Sequence, residues 1–117
     1  MADEILADKV TVLLGMKMFR RLKDLIDVYA LAHCVEVRTS DIFEVITIKQ
    51  LELGGFNEFF TRRNDVEHAY NKLRGVEGKP SFDDVYLYLK RFVYPFAQND
   101  KEPRIWSSKN QTWISTY

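Results

Sequence analysis

Residues 81–97 read SFDDVYLYLKRFVYPFA, and this stretch decides the fold because it joins a helix start signal to a long apolar face. Ser81 can cap a helix, since its hydroxyl can accept a hydrogen bond from an amide about three residues later. Large apolar side chains then recur at helical spacing, and Pro95 disfavours helical geometry in the residue before it. The stretch predicts a tyrosine-rich helix over 81–93, with a charged edge at Lys90 and Arg91.

The composition is that of one folded domain without strong charge. The chain has 117 residues, of which 46% are hydrophobic and 14% aromatic, and this supplies enough apolar surface for a packed core. Seventeen basic and seventeen acidic residues cancel. This balance is far from the basic excess expected of a strong nucleic-acid binder.

The sequence shows no signal for secretion or membrane insertion. No apolar run approaches the ~20 residues of a membrane span, and the opening MADEILADK lacks the regions of a signal peptide. Cys34 is the single cysteine, so an internal disulfide and a cysteine metal cage are excluded. We therefore expect an intracellular protein in a reducing compartment, with no membrane partner.

Apolar periodicity predicts four further helices upstream. They cover residues 3–15, 17–35, 41–53 and 65–73. The second can also be an extension of the first, and the segments VTVLL and FEVITIKQLEL remain open to a strand because they are strand-like. In the second helix, the charged residues 20, 21, 23 and 24 fall on the solvated side.

Local signals mark where these helices begin and end. Thr39 or Ser40 can cap the third helix, and the Gly54-Gly55 pair is a suitable stop for it. Asn64 and Glu67 have the spacing of a capping box for the fourth. Together the signals predict an all-α fold, a helical bundle over residues 1–97.

The last residues, 98–117, change in character to a polar arm that holds both tryptophans. We expect an irregular tail that is either draped over the domain or partly disordered. Ile105, Trp106 and Trp113 predict that some of it docks, because an uncovered tryptophan leaves ~150–250 Å² of surface unburied.

Motifs of catalysis are missing from the sequence. It contains no phosphate-binding glycine loop, zinc spacing or nucleophile elbow. His33 beside Cys34 is more typical of a helix end than of a metal site, and the helix dipole explains Asp83 and Asp84. The sequence predicts a protein that is not an enzyme and has no cofactor, metal or small-molecule substrate.

The segments LGGF at 53–56 and YPF at 94–96, in the order helix, loop and tyrosine-rich helix, resemble the ARID (AT-rich interaction domain) family over roughly residues 18–97. FRRLKDL at 19–25 is similar to the opening helix of that family. The resemblance implies a helical bundle with a helix-turn-helix, whose turn is 74–80 and whose helix 81–93 enters the major groove of double-stranded DNA.

This resemblance also implies a nuclear protein of chromatin or transcription regulation, which binds DNA weakly or with little sequence preference. Asp83 and Asp84 argue for little sequence preference. Carboxylates repel phosphates, and cytosine is the base whose edge offers a hydrogen-bond donor that suits them well. The implied DNA contacts are Arg62, Arg63, Lys72, Arg74, Lys79, Ser81, Tyr86, Lys90, Arg104 and Lys109.

Two other functions remain open from sequence. One is an interaction domain that kept an ARID-like bundle and lost DNA binding, with Trp106 and Trp113 anchoring a subunit of a chromatin or transcription complex. The other is a homodimer formed through an exposed apolar stripe on helix 3–15. The neutral charge and Asp83-Asp84 favour the interaction domain.

Overall fold

The computed structural model describes residues 2–15 and 18–116, which form six α-helices and one β-hairpin. The helices are α1 (Ala2–Leu13), α2 (Lys23–Cys34), α3 (Thr39–Ile48), α4 (Glu58–Thr61), α5 (Arg63–Asn71) and α6 (Phe82–Ala97), with a 3₁₀ turn at Met18–Arg20. The strands are β1 (Arg104–Ser107) and β2 (Thr112–Ser115). Residue 17, where we expected the second helix to begin, lies outside the described residues. Among the described residues, no helix combines the length and apolar character needed to cross a membrane.

Helix α6 carries much of the core. Its buried side includes the predicted periodic residues, from Phe82 to Val93, and extends to Phe96. Helix α2 packs against α6, and α1 packs against α2 and α3. The predicted cap is confirmed, because the Ser81 hydroxyl accepts a hydrogen bond from the Asp84 amide at 3.3 Å.

Pro95 does not end α6, contrary to the expectation from sequence. Proline lacks an N–H and removes one backbone hydrogen bond, but here it lies in the last turn, where burial of Pro95 and Phe96 offsets that loss. The helix ends instead in a Schellman motif. Asn99 takes φ 54°, and the Asp100 amide donates to the Pro95 carbonyl at 2.9 Å.

The third predicted segment forms a helix, α3, and not a strand. It ends at Ile48 rather than at residue 53. Its end is also a Schellman motif, with Gln50 at φ 55° and the Leu51 amide donating to the Ile46 carbonyl at 2.9 Å. The predicted glycine stop was therefore too late, because a glutamine occupies the left-handed position.

The predicted capping box of α5 is wrong. Helix α5 begins at Arg63, so Asn64 lies inside it, and Arg62 is the residue that both ends α4 and precedes α5. The side-chain cap in this region belongs to α4 instead. Asn57 Oδ1 accepts a hydrogen bond from the Phe59 amide at 3.2 Å.

The prediction of an all-α fold with an irregular tail is also wrong, because β1 and β2 form an antiparallel hairpin after α6. Trp106 pairs with Trp113 across the two strands, and their rings lie 5.1 Å apart. The chain is thus predominantly helical but mixed in class. The expectation that part of this segment docks is confirmed, since Trp106 is buried in the core.

Thr39 joins the hairpin to the helices and does not cap α3, as we had expected of Thr39 or Ser40. It is the first residue of α3 and is fully buried. Its hydroxyl donates to the Glu102 carbonyl at 3.1 Å and accepts from the Arg104 amide at 3.0 Å. The Trp106 amide adds a bond to the Val37 carbonyl at 2.9 Å, so the hairpin is anchored at the start of α3.

Candidate nucleic-acid interface

A basic groove lies between the segment that leads into α2 and the last turn of α5. Its volume is about 550 Å³, and apolar side chains from both segments form part of its wall. Four cationic side chains line it: Arg20, Arg21, Lys23 and Lys72. Because like charges repel, such a cluster is a natural place for an anionic ligand.

Asp24, the carboxylate in this groove, is already neutralised. It is buried, which corrects our expectation of a solvated position, and its Oδ1 accepts a hydrogen bond from Lys9 Nζ at 2.9 Å. Its Oδ2 has no hydrogen bond within the described chain, but Arg21 Nη2 lies 3.0 Å away and supplies the opposite charge. Burial acts to lower the pKa of Lys9, but the hydrogen bonds and the negative charges of Asp24 and Asp27 together outweigh burial and raise that pKa.

The other three cations of the groove are exposed and uncompensated. Within the described ranges, Arg20, Lys23 and Lys72 form no ion pair with a carboxylate. Of the ten residues that the ARID resemblance implied, Lys72 is the one that lines this groove. Arg20 and Lys23 were missed as contacts, although the RRLK run at 20–23 was a visible cluster of positive charge.

Arg62 lies at the edge of the groove but is neutralised. Its guanidinium is 4.9 Å from the ring centre of Phe19, which lines the groove. It is also paired with Asp65 at 2.8 Å and with Glu58 at 3.0 Å. The two carboxylates cancel the positive charge with which Arg62 would attract a phosphate.

The Arg63 side chain links α5 to α6 and is not free at the surface. It forms ion pairs with Glu67 and with Asp83, and its guanidinium lies 5.3 Å from the ring centre of Phe82. The side chain therefore has a structural role between the two helices, and Asp83 is partly neutralised by it.

Lys79 and Ser81 both form hydrogen bonds at helix termini. The Lys79 amine donates to the Tyr70 carbonyl at 3.0 Å and to the Leu73 carbonyl at 3.4 Å, which satisfies carbonyls at the end of α5. Ser81 caps α6, as described above. The Lys79 amine is therefore not available to a phosphate without losing these hydrogen bonds, whereas the Ser81 hydroxyl only accepts in its cap.

Two tyrosines of α6, Tyr86 and Tyr88, are turned into the protein. Tyr86 is 5% exposed, and its hydroxyl donates to the Phe59 carbonyl at 2.8 Å. Tyr88 is fully buried, and burial raises the pKa of both phenols. Tyr86 therefore cannot touch a base edge unless α6 leaves its packing, which corrects the contact we expected.

The remaining expected contacts do not gather at one place. Arg104 is paired with Asp100 at 3.0 Å and with Glu102 at 2.7 Å on the hairpin. Arg74, Lys90 and Lys109 are exposed and have no ion pair in the described part of the chain. They lie after α5, on α6 and in the hairpin loop, respectively.

Both tryptophan side chains form contacts within the domain. Trp106 Nε1 donates to the Tyr88 hydroxyl at 2.8 Å, and Trp113 Nε1 donates to the Phe92 carbonyl at 3.0 Å. Both rings also contact the ring of Phe92. Trp106 is therefore buried inside the domain and is not exposed to anchor a partner protein in the way that the sequence had led us to expect.

The apolar stripe of α1 also faces inward. Leu6, Val10 and Leu13 are fully buried, whereas Ile5 is 43% exposed. The proposed dimer through this helix would therefore have one large apolar side chain to use rather than a stripe.

His33 and Cys34 show the arrangement of a helix end. The His33 Nδ1 lies 2.6 Å from the Tyr29 carbonyl, and its ring stacks on Tyr88 at 4.4 Å. Cys34 is exposed and unpaired. Over residues 2–15 and 18–116, no three histidine, cysteine or acidic side chains gather as metal ligands.

No family model matches this sequence, and neither a curated protein nor a solved structure matches it.

Proposed function

We propose that this chain is a DNA-binding module that holds the phosphate backbone of double-stranded DNA with little sequence preference. The observation that carries the proposal is the basic groove, where Arg20, Lys23 and Lys72 lack carboxylate partners among the described residues. Lysine and arginine side chains neutralise phosphates and release counterions, which gives binding that is independent of base sequence.

The burial of Tyr86 and Tyr88 supports the weak sequence preference. With Tyr86 buried, the exposed start of α6 offers Asp83 and Asp84, which repel phosphates and, among base edges, are best suited to the cytosine amine. The contacts that we propose are thus on the basic groove rather than on residues 81–93. The ARID resemblance favours duplex DNA as the ligand, and with it a nuclear role in chromatin or transcription regulation.

The test is fluorescence anisotropy with a labelled random-sequence duplex at two salt concentrations. We expect a non-specific Kd of roughly 10⁻⁴–10⁻⁶ M at physiological salt, with tighter binding at lower salt. Lys23→Gln and Lys72→Gln should each reduce the salt slope by about 0.9, because each removes one phosphate contact.

Lys49→Gln is the matched control. It removes the same charge just after α3, where Lys49 pairs with Asp8 at 3.3 Å, and it lies outside the groove lining. The slope of this variant should equal that of the wild type. The proposal is wrong if the wild type fails to bind duplex at low salt, or if Lys49→Gln weakens binding as much as Lys72→Gln does.

A further inference from the structure

Helix α6 and the segment before α4 expose three large apolar side chains. Leu87 is 50% exposed, Tyr94 is 46% exposed and Phe56 is 50% exposed. Leu87 and Tyr94 are seven residues apart on α6, so they share one face about 10 Å apart. The Phe56 ring lies 5.3 Å from the Tyr94 ring, which makes Phe56 a lateral extension of that face. We call these three residues and the cations between them the α6 outer face.

Two cations occupy the middle of this face. Lys90 and Arg91 lie between Leu87 and Tyr94 and are exposed, and neither forms an ion pair in the described part of the chain. Arg91 donates instead to the Gln111 amide oxygen of the hairpin at 3.3 Å. An apolar face with positive charge at its centre is complementary to apolar side chains flanked by carboxylates.

A groove continues this face toward the hairpin. It has a volume of about 530 Å³, and Arg91 and Tyr94 lie on one wall while Gln111 and Trp113 lie on the other. No carboxylate of the described chain lines it, and its lining includes the cations Arg91 and Arg104. The groove therefore gives a ligand a concave surface next to the exposed face of α6.

We propose that the α6 outer face binds an acidic amphipathic helix of a partner protein. Apolar residues of that helix, two turns apart, would cover Leu87 and Tyr94, and carboxylates between them would pair with Lys90 and Arg91. DNA fits less well, because its backbone offers no apolar group to cover half-exposed Leu87 and Phe56. A two-fold dimer fits less well too, since an isologous contact would bring Lys90 and Arg91 of both copies together.

The test uses a fluorescein-labelled designed peptide of about fifteen residues, with two leucines seven positions apart and glutamates between them. Anisotropy should report saturable binding to the full chain. Leu87→Ser and Tyr94→Ser should each weaken it by about tenfold or more, because they remove central apolar contacts. Ile48→Ser is the matched control, since Ile48 is 72% exposed on α3, and it should leave the affinity unchanged. Circular dichroism of each variant checks that the fold is intact.

A charge swap separates recognition from nonspecific stickiness. The same peptide with lysines in place of the glutamates should bind wild type at least tenfold more weakly, and the double change Lys90→Glu with Arg91→Glu should reverse that preference. Equal binding of both peptides, or an equal effect of Ile48→Ser, would overturn the proposal. So would concentration-dependent dimerisation in sedimentation that Leu87→Ser abolishes. Lys72→Gln should not affect the peptide, and Leu87→Ser should not affect duplex DNA, so this site and the basic groove can fail separately.

Discussion

The indole nitrogen of Trp106 donates a hydrogen bond to the hydroxyl of Tyr88 across 2.8 Å, and both side chains are buried. The bond ties β1 to the middle of α6. Tyr88→Phe should keep the ring packing but leave the indole N–H buried without a partner. We expect this change to lower the free energy of unfolding by about 1–3 kcal/mol, measured by urea denaturation followed by circular dichroism.

Ser108 supplies the control for this prediction. Its hydroxyl lies 2.9 Å from the same Tyr88 oxygen, but it is only partly buried and water can replace it. Ser108→Ala should therefore cost about 0.5–1 kcal/mol. If Tyr88→Phe is no more destabilising than Ser108→Ala, the indole bond does not contribute as we infer.

Thr39 is the second anchor of the hairpin. Thr39→Val keeps the shape of the side chain but removes the acceptor of the Arg104 amide and the donor to the Glu102 carbonyl. Because Thr39 is fully buried, we expect a loss of about 1–3 kcal/mol in the free energy of unfolding. We also expect faster amide hydrogen exchange in β1, since its attachment to α3 is loosened.

Thr47→Val is the matched substitution on the same helix. The Thr47 hydroxyl donates only to the Phe43 carbonyl one turn earlier, at 2.9 Å, and the residue is exposed. Its replacement should change the free energy of unfolding by no more than about 0.5 kcal/mol. Equal destabilisation by the two variants would mean that the buried position of Thr39 does not matter.

Helix α6 could be predicted from sequence because its signals are local. The Ser81 cap and the periodic apolar residues lie within the helix itself. Its end could not be predicted in the same way, because continuation through Pro95 depends on burial of Phe96 against residues far away in sequence. Local rules describe the cost of Pro95 but not the packing that offsets it.

The hairpin was predictable only in part. The runs RIWS and TWIS around a polar loop carry the hairpin pattern of short aromatic and β-branched strands. What fixes their position is contact with Val37 and Thr39, which the local pattern does not contain. Without knowledge of those contacts, the sequence of this polar segment is equally consistent with an irregular tail.

The candidate site was the least predictable part, because charge in a sequence does not show its partner in space. Lys79 caps α5 and Arg63 bridges two helices, so two expected phosphate contacts have structural roles. The basic groove joins the segment before α2 to the end of α5, and only the fold brings Lys23 and Lys72 together. Sequence reasoning could name cations but could not separate paired from unpaired ones.

Gly54 provides a third prediction, because its backbone passes very close to the end of α1. A Cβ added at Gly54 would lie 1.9 Å from the Leu14 carbonyl oxygen, which is backbone and cannot rotate away. Gly54→Ala should therefore displace the segment before α4 and cost about 1–3 kcal/mol or more in thermal or urea unfolding.

Gly75→Ala tests a different effect and serves as the comparison. Gly75 has φ of 76° and open space around it, so an added methyl meets no atom and costs only the strain of the left-handed conformation. That cost is about 1 kcal/mol. If Gly54→Ala is as mild as Gly75→Ala, the close approach to Leu14 is relieved by small shifts.

Three buried tyrosines predict a loss of stability at alkaline pH. Burial raises the pKa of Tyr70, Tyr86 and Tyr88 above the ordinary value of about 10. In the unfolded chain these phenols ionise near pH 10, while in the folded chain they stay neutral to higher pH. The unfolded state is therefore favoured increasingly as pH rises from about 10 through the folded pKa values, whereas below pH 10 these groups have no effect on the pH dependence.

The slope of this loss can be assigned to single residues. Each tyrosine that ionises only on unfolding adds up to about 1.4 kcal/mol per pH unit to the fall in the free energy of unfolding. Tyr86→Phe should remove one such contribution above pH 10, although it also loses the bond to the Phe59 carbonyl at every pH. Urea denaturation at several pH values, with phenolate absorbance in parallel, measures both effects. Titration of all tyrosines near pH 10 in the still-folded protein would contradict the prediction, because the phenols of Tyr70, Tyr86 and Tyr88 would then be open to solvent.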